Sequence, residues 1–295
     1  MKINTVYINT HRYDFKFTCI CVASVRYWYP DIDIYLLVDK GRGTYDASIL
    51  EKSLNIKLFN TPRKKFGWGY GKLEPLFVDK KHSFLVLDSD TVLTGPIIDL
   101  VINDVSDFVV DEEVQPDIRF NEIYYHLDKI NQIDPNFKYP GYSFNSGQWF
   151  GTSGILSRSD FEIGIEWTEP PKSKYPEIIF KGDQSILNFI IHLQENMKKI
   201  TVLRKKIMIW PEGNRVNLIS LDNIIKKNSN SLYIIHWAGI KGSRLKEMPG
   251  WEILKFYKKC FCNKLSIIEK IKTFIYWTYL DMEAYFKPKW VRITK

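Results

Sequence analysis

From Phe84 the chain reads Phe-Leu-Val-Leu-Asp-Ser-Asp-Thr-Val-Leu-Thr-Gly-Pro, ending at Pro96. An apolar run without polar interruption is the pattern of a strand covered on both faces inside an α/β sheet. It leads straight into two carboxylates, Asp88 and Asp90, and Gly95-Pro96 then marks a turn. Acids at the carboxyl end of such a strand lie on the rim of the crevice where α/β sheets bind ligands. In an extended segment side chains i and i+2 point the same way, so Asp88 and Asp90 can converge on one hard divalent cation, which would in turn hold a diphosphate. The plainer alternative is that the two acids only solvate a strand end and open a turn.

The flanking sequence fits this frame. Thr5–Ile8 reads as a first strand, opening into Asn9-Thr-His-Arg-Tyr-Asp14. A helix is expected over Phe15–Trp28, ended by Pro30, then a strand over Ile32–Val38, a helix over Ser48–Leu54 and a short strand over Ile56–Phe59. This alternation predicts a doubly wound, parallel sheet with right-handed crossovers. Neither a G-x-G-x-x-G after the first strand nor a P-loop is present, so a nucleotide held here needs another device, such as a metal. Gly67, Gly69 and Gly71 allow close backbone approach to a ligand, with Lys72 aimed at phosphate or merely solvated. Asp107–Val110 reads as a further strand. Residues 111–142, with three prolines and six aromatics, are expected to form a substrate-facing lid or wall, the alternative being a small helical packing element over Asn121–Ile133.

Two later motifs bring polar groups back to the crevice. Phe144-Asn-Ser-Gly147 offers the Asn145 amide to sugar hydroxyls, with Ser146 and Gly147 leaving room for a ring. In Gly182-Asp-Gln-Ser-Ile-Leu-Asn188, Asp183 reads as a helix N-cap, which leaves Gln184 on the crevice side. Leu232-Tyr-Ile-Ile-His236-Trp-Ala-Gly239 repeats the logic of the aspartates, an apolar strand delivering an imidazole at its end. A nitrogen ligand added to two carboxylates suits Mn2+ better than Ca2+. A lone histidine beside a tryptophan is otherwise a hydrogen-bonded core residue.

Leu85-Val-Leu-Asp-Ser-Asp90, Phe144-Asn-Ser-Gly147, Gly182–Asn188 and His236-Trp-Ala-Gly239, in this order, resemble the family-8 nucleotide-sugar glycosyltransferases, the group of glycogenin and the bacterial lipopolysaccharide galactosyl- and glucosyltransferases. The likeness covers roughly residues 3–245. It implies a GT-A fold, Rossmann-like, α/β, with a mostly parallel sheet flanked by helices. It also implies a UDP-sugar donor, Mn2+ or Mg2+, and retention of anomeric configuration. By resemblance, Asp88, Asp90 and His236 are metal ligands, with Asp88 also near the ribose or donor sugar and Ser89 among the donor-binding residues. Asn145 contacts the sugar, and Asp183 and Gln184 lie beside the anomeric carbon. Lys72 contacts donor phosphate or sugar, and Asn9 and Thr10 face the uridine. The family's lysine after the metal histidine has Lys241 as its counterpart, one residue early, with Arg244 as the rival for diphosphate. The segment Thr10-His-Arg-Tyr13 lacks the family's acidic residue at the base-binding position.

Other readings stay open: an inverting enzyme with Asp183 as base, a nucleotidyltransferase, or a non-catalytic carbohydrate-binding protein using the nine tryptophans and seventeen tyrosines as stacking platforms. The acceptor is expected to be a glycan or a lipid-linked saccharide, as in lipopolysaccharide or other polysaccharide synthesis.

Charge divides the chain. Of the net +8, residues 252–295 contribute +6, from ten Lys/Arg against four Asp/Glu. The expected division is therefore a glycosyltransferase domain at 1–245 and a basic, aromatic helical extension at 246–295. A basic aromatic terminus on a balanced domain fits an anionic membrane surface better than nucleic acid, and residues 251–295 are expected either to rest on such a surface or to pack on the domain. The first ten residues hold no apolar run of signal-peptide length, and no segment has the length of a membrane span. The expected location is cytoplasmic, peripheral on the inner face of the membrane where the extension binds it. Cys19/Cys21 and Cys260/Cys262 lack common zinc-ribbon spacing and read as free thiols.

Overall fold

The computed structural model describes residues 1–286 apart from 68, 114, 181, 213, 229, 242 and 243. Its strands, in chain order, are β1 (Ile3–Thr10), β2 (Asp33–Val38), β3 (Lys57–Leu58), β4 (Ser83–Asp88), β5 (Thr91–Leu93), β6 (Phe108–Val110), β7 (Gln148–Thr152), β8 (Ile165–Glu166), β9 (Lys172–Ser173), β10 (Val202–Arg204), β11 (Met208–Ile209) and β12 (Ile234–His236). The main sheet has the order β10-β6-β7-β4-β1-β2-β3. It is mostly parallel, as expected, with β7 running antiparallel to both its neighbours, β4 and β6. A second, three-stranded sheet, β11-β12-β5, crosses the carboxyl edge of the first.

The apolar run of β4 is buried on both faces for the reason its sequence suggested. Phe84 and Val86 enter one core cluster, while Leu85 and Leu87 enter the other on the opposite side of the sheet. The first cluster is covered by α5 (Asp183–Asn196), through Ile186, Leu187 and Ile190; the short α3 (Asp117–Ile123) and α4 (Arg158–Phe161) precede it in the chain. The second is covered by α1 (Phe15–Trp28) and α2 (Ser48–Leu54), both with the bounds expected from their spacing. Asn55, at φ 48°, ends α2 in the left-handed region that asparagine tolerates, and the Arg26 guanidinium caps the same end by donating to the carbonyls of Leu54 and Asn55.

Residues 111–142 do not form a lid. Phe120, Tyr124, Tyr125, Phe137 and Tyr142 are buried in the first core cluster, and the Tyr125 hydroxyl lies 2.8 Å from His192 Nδ1. Aromatic density here reflects packing onto α5, the alternative named above. Burial pushes His192 down to about 3, which keeps its ring neutral in this core.

After the short α6 (Leu221–Ile225) and β12, the chain ends in α7 (Trp251–Cys262) and α8 (Ile267–Phe286). Ile253, Leu254, Tyr257 and Phe261 bury one face of α7, and the Tyr257 hydroxyl donates to the carbonyl of Leu93 at 2.6 Å. Trp277 and Leu280 of α8 join the second core cluster. Ion pairs of Lys16 with Asp281 and of Arg12 with Glu283 fasten α8 beside the start of α1. α7 and α8 therefore pack along one face against the elements that precede them.

Asp111, immediately after β6, ties the two sheets together: its Oδ1 accepts the N–H groups of Ile207 and Met208 at 2.8 and 3.0 Å. Burial raises its carboxyl to about 6 although those donors oppose the rise. The ionised form is thus penalised in the fold, so this group's contribution to stability is present below pH ~4 and lost as pH rises through ~6. Asp111→Asn keeps the accepting oxygen and removes the ionisation. At pH ~7.5 it should raise stability by up to ~3 kcal/mol, and at pH ~4 by nothing; melting curves at both values check this, and equal gains at both would contradict it.

Candidate active site and metal centre

The two aspartates leave β4 across a tight turn, and β5 begins at Thr91. β12 pairs antiparallel with β5, with His236 opposite Thr91, and the Trp237 N–H donates to the Asp90 carbonyl at 3.0 Å. That register, and no local sequence signal, carries the imidazole to the acids. His236 Nε2 lies 3.3 Å from Asp90 Oδ1 and 3.8 Å from Asp88 Oδ2. Ligand atoms of the three residues all fall within 4.8 Å of one another. Six ligands about 2.1 Å from an ion stand roughly 3 Å apart along each octahedral edge, so two carboxylates and an imidazole at these separations fit Mn2+ or Mg2+ with modest adjustment. Gly147 is needed beside them, because a Cβ there would stand 2.2 Å from His236 Cε1 and 2.8 Å from Asn145 Oδ1.

Two buried lysines balance the acids. Lys72, in a 3-10 helix over Tyr70–Phe77, lies 3.0 Å from Asp88 Oδ2, 2.5 Å from Asp183 Oδ2 and 3.2 Å from Ser146 Oγ. The contacts with Asp88 and Ser146 are hydrogen bonds, and that with Asp183 is an ion pair. Lys72 is thus held inside the protein as a link between Asp88 and Asp183. Lys241 lies 2.9 Å from Asp14 Oδ2 and 3.0 Å from Asp90 Oδ2. Burial opposes ionisation of Asp90 and Asp14, but Lys241, helped by His236 at Asp90 and by His11 at Asp14, outweighs it and holds both carboxyls below the usual range. At Asp88 burial wins over Lys72, and the neighbouring Asp90 adds to it, so that carboxyl is raised. Burial would neutralise the lysines, yet Asp183 and Asp88 around Lys72, and Asp90 and Asp14 around Lys241, keep both charged.

The remaining expected residues divide. Asn145 and Gln184 come together over the cluster: Asn145 Oδ1 accepts the Gly147 N–H at 2.8 Å, and Gln184 Oε1 lies 3.5 Å from the Ser146 nitrogen. Gln184 is half-buried where its neighbours in α5 are buried. Asp183 is not the N-cap. Gly182 takes that position at φ 122°, and Asp183 is the first helical residue, packed beneath Gly69, where a Cβ would stand 2.2 Å from its Oδ1. Gly69 itself sits at φ 83°, so this crossing requires glycine twice over. Asn9, at the carboxyl end of β1, keeps a buried Oδ1 without a partner among the described residues. Thr10 does not face a ligand: its hydroxyl lies 2.5 Å from Thr18 Oγ1 and accepts from the Tyr45 hydroxyl at 3.2 Å. Arg244 stands outside the cluster, its side chain 80% exposed beside Glu247, so Lys241 alone fills the place for which the two were rivals.

Ser89 donates to Asp14 Oδ2 at 3.1 Å, which makes Asp14 a member of the site that the sequence reading missed. Its signal is close by, since Asp14 directly follows the segment Thr10-His-Arg-Tyr13. Trp210 was also missed. Its ring stacks on His236 with centroids 5.7 Å apart and planes at 15°, and it follows β11 with no motif to mark it.

Comparison with known proteins bears on the fold. No protein-family model and no curated protein matches the chain. Among solved structures, the bifunctional glycosyltransferase WbbM matches 87% of this chain at 12% identity and TM-score 0.56, and the chain spans about half of that protein, 49%. The galactosyltransferase LgtC, solved with donor and acceptor sugar analogs, matches 89% of this chain and 97% of its own at 15% identity and TM-score 0.56. The glycosyltransferase GlyE of Streptococcus pneumoniae TIGR4 matches 97% of this chain and 63% of its own at 16% identity and TM-score 0.52. The chain thus has the GT-A fold of these glycosyltransferases.

Proposed function

We propose that the chain is a metal-dependent glycosyltransferase that moves a hexose from a UDP-sugar to a saccharide hydroxyl with retention of configuration. The observation that carries this reading is the convergence of Asp88, Asp90 and His236 on one point at the carboxyl edge of a GT-A sheet. These three residues would hold Mn2+ or Mg2+. When bound, that ion supplies positive charge to the diphosphate that leaves the sugar.

The chain's own groups do the rest. Lys241, beside the metal ligands and charged despite burial, places a second positive charge where the diphosphate develops its own. Asn9, with its unpartnered Oδ1, and Asp14 border the end of β1, where the nucleoside would lie. Asn145 and Gln184 face the transferred sugar and orient it. Lys72 holds Asp88 and Asp183 in fixed relation, so the acid side of the sugar is set before substrate arrives. The pairing of Asp183 with Lys72 and its packing beneath Gly69 weigh against the inverting alternative, because a general base must be free to take the acceptor's proton. With retention, the acceptor attacks from the leaving-group face and the departing phosphate oxygen takes that proton. We take residues 246–295 as an appendage to the catalytic domain.

The same reading places the protein on an anionic membrane through α8. Ile267, Ile268, Ile271, Phe274, Ile275, Tyr279 and Met282 are exposed on the side of α8 opposite Trp277 and Leu280. At 100° per residue they form one stripe, with Lys270 and Lys272 flanking it on either side. A helix lying in a lipid interface needs such a face, and lysines at its edges meet the anionic headgroups. No helix of the described residues is long and apolar enough to cross a membrane.

Asp88→Asn or Asp90→Asn should lower UDP release from a UDP-sugar by more than ~100-fold and abolish Mn2+-dependent UDP binding in calorimetry. Undiminished turnover in either variant would remove the central assignment. Gly147→Ala, which drives a methyl into His236, should weaken Mn2+ binding by ~10-fold or more while circular dichroism stays unchanged. For the membrane, a variant carrying Ile271→Glu and Ile275→Glu should keep its melting temperature but no longer sediment with phosphatidylserine-containing vesicles that carry down the wild type. Equal sedimentation of the two proteins would rule out α8 as the contact.

A further inference from the structure

A cavity of about 430 Å³ is lined by Asp111, Glu112, Lys206, Met208 and Arg215. It lies on the same edge of the sheet as Asp88, because β4 and β6 both run antiparallel to β7 and Asp111 directly follows β6. Met208 on its wall precedes Trp210 by two residues, roughly 7 Å along an extended chain. Trp210 is 41% exposed although its ring is stacked on His236, so an indole open to a ligand stands between the strand that lines the cavity and the metal ligands.

The charges around this cavity are unequally committed. Asp111 Oδ1 accepts two backbone N–H groups, and Glu112 lies 3.9 Å from Arg204. Lys206 and Arg215, both exposed, have no ion-pair partner among the described residues. The acids are thus partnered within the protein, whereas the cations remain available to a ligand. An aromatic surface suits a saccharide ring, and free ammonium and guanidinium groups suit an oxyanion.

We propose that this cavity binds the acceptor and selects a saccharide bearing an acid group, phosphate or carboxylate, which Lys206 and Arg215 hold while a sugar ring lies on Trp210. The proposal rests on the glycosyltransferase reading and adds the class of acceptor to it. It is tested by calorimetric titration of the full chain with three probes: lactose, glucose 6-phosphate and a disaccharide containing glucuronic acid. One of the acidic probes should bind at least ~10-fold more tightly than lactose, and the better of the two identifies the acid group. The double variant Lys206→Ala, Arg215→Ala should bring that preference below ~2-fold, while UDP release from a UDP-sugar with Mn2+ and water as acceptor stays within ~2-fold of wild type. Equal binding of lactose and both acids by the wild type, or a preference that survives in the double variant, overturns the proposal. Failure of the wild type to release UDP would instead count against the glycosyltransferase reading, and the binding preference would still be readable by itself.

Discussion

Four carboxylates, Asp14, Asp88, Asp90 and Asp183, meet at the carboxyl edge of the sheet, and two lysines keep them there. Each lysine bridges two acids, Lys72 between Asp88 and Asp183, Lys241 between Asp90 and Asp14. Withdrawing ions of this kind from water costs several kcal/mol each, and mutual attraction offsets that only where the geometry is good and the remaining donors are satisfied. The bridges run between elements far apart in sequence, so the acids cannot approach unless the first loop, the 3-10 helix, β4, α5 and the segment after β12 are all in place. Formation of the site and completion of the fold are therefore the same event.

This arrangement also explains why the cluster can suit a cation without falling apart when none is bound. Two aspartates at strand-end spacing repel each other. With ammonium groups within 3.0 Å on either side, the acids remain close together and ionisation of Asp90 is favoured. A metal then meets a set of ligands already gathered and has little ordering to impose.

The sequence exposed the parts of this site that depend on local pattern. An uninterrupted apolar run followed by Asp88 and Asp90 announced a strand end, and α1 and α2 appeared at their observed bounds because their spacing and stop signals are local. His236 was visible as a strand-end imidazole, but its meeting with Asp90 depends on the pairing of β12 with β5 across more than a hundred residues. The ion pairs are of the same kind. Nothing around Lys72 says that Asp88, Asp183 and Ser146 will surround it. Thr10 was misjudged because a strand-end position reveals which edge a residue occupies and not which way its side chain turns. The aromatic segment at 111–142 failed for a related reason: composition is equally compatible with a wall around a ligand and with a layer of core, and only its burial against α5 decides.

The same distinction separates the two halves of the chemistry. Asp88, Asp90 and His236 stand at the ends of buried strands, and the apolar runs that deliver them leave marks in sequence. Groups around the acceptor cavity, Lys206 and Arg215, sit exposed among many other surface cations, and nothing in their local sequence sets them apart from the other basic residues of a chain with 42 lysines and arginines. What distinguishes them is the lack of a partner next to a polar hollow and an exposed indole, a property of the assembled surface. A surface group can change partner without unfolding the core, whereas Lys72 or Lys241 cannot. The fold thus constrains which donor machinery the chain can carry far more tightly than it constrains which saccharide the chain serves.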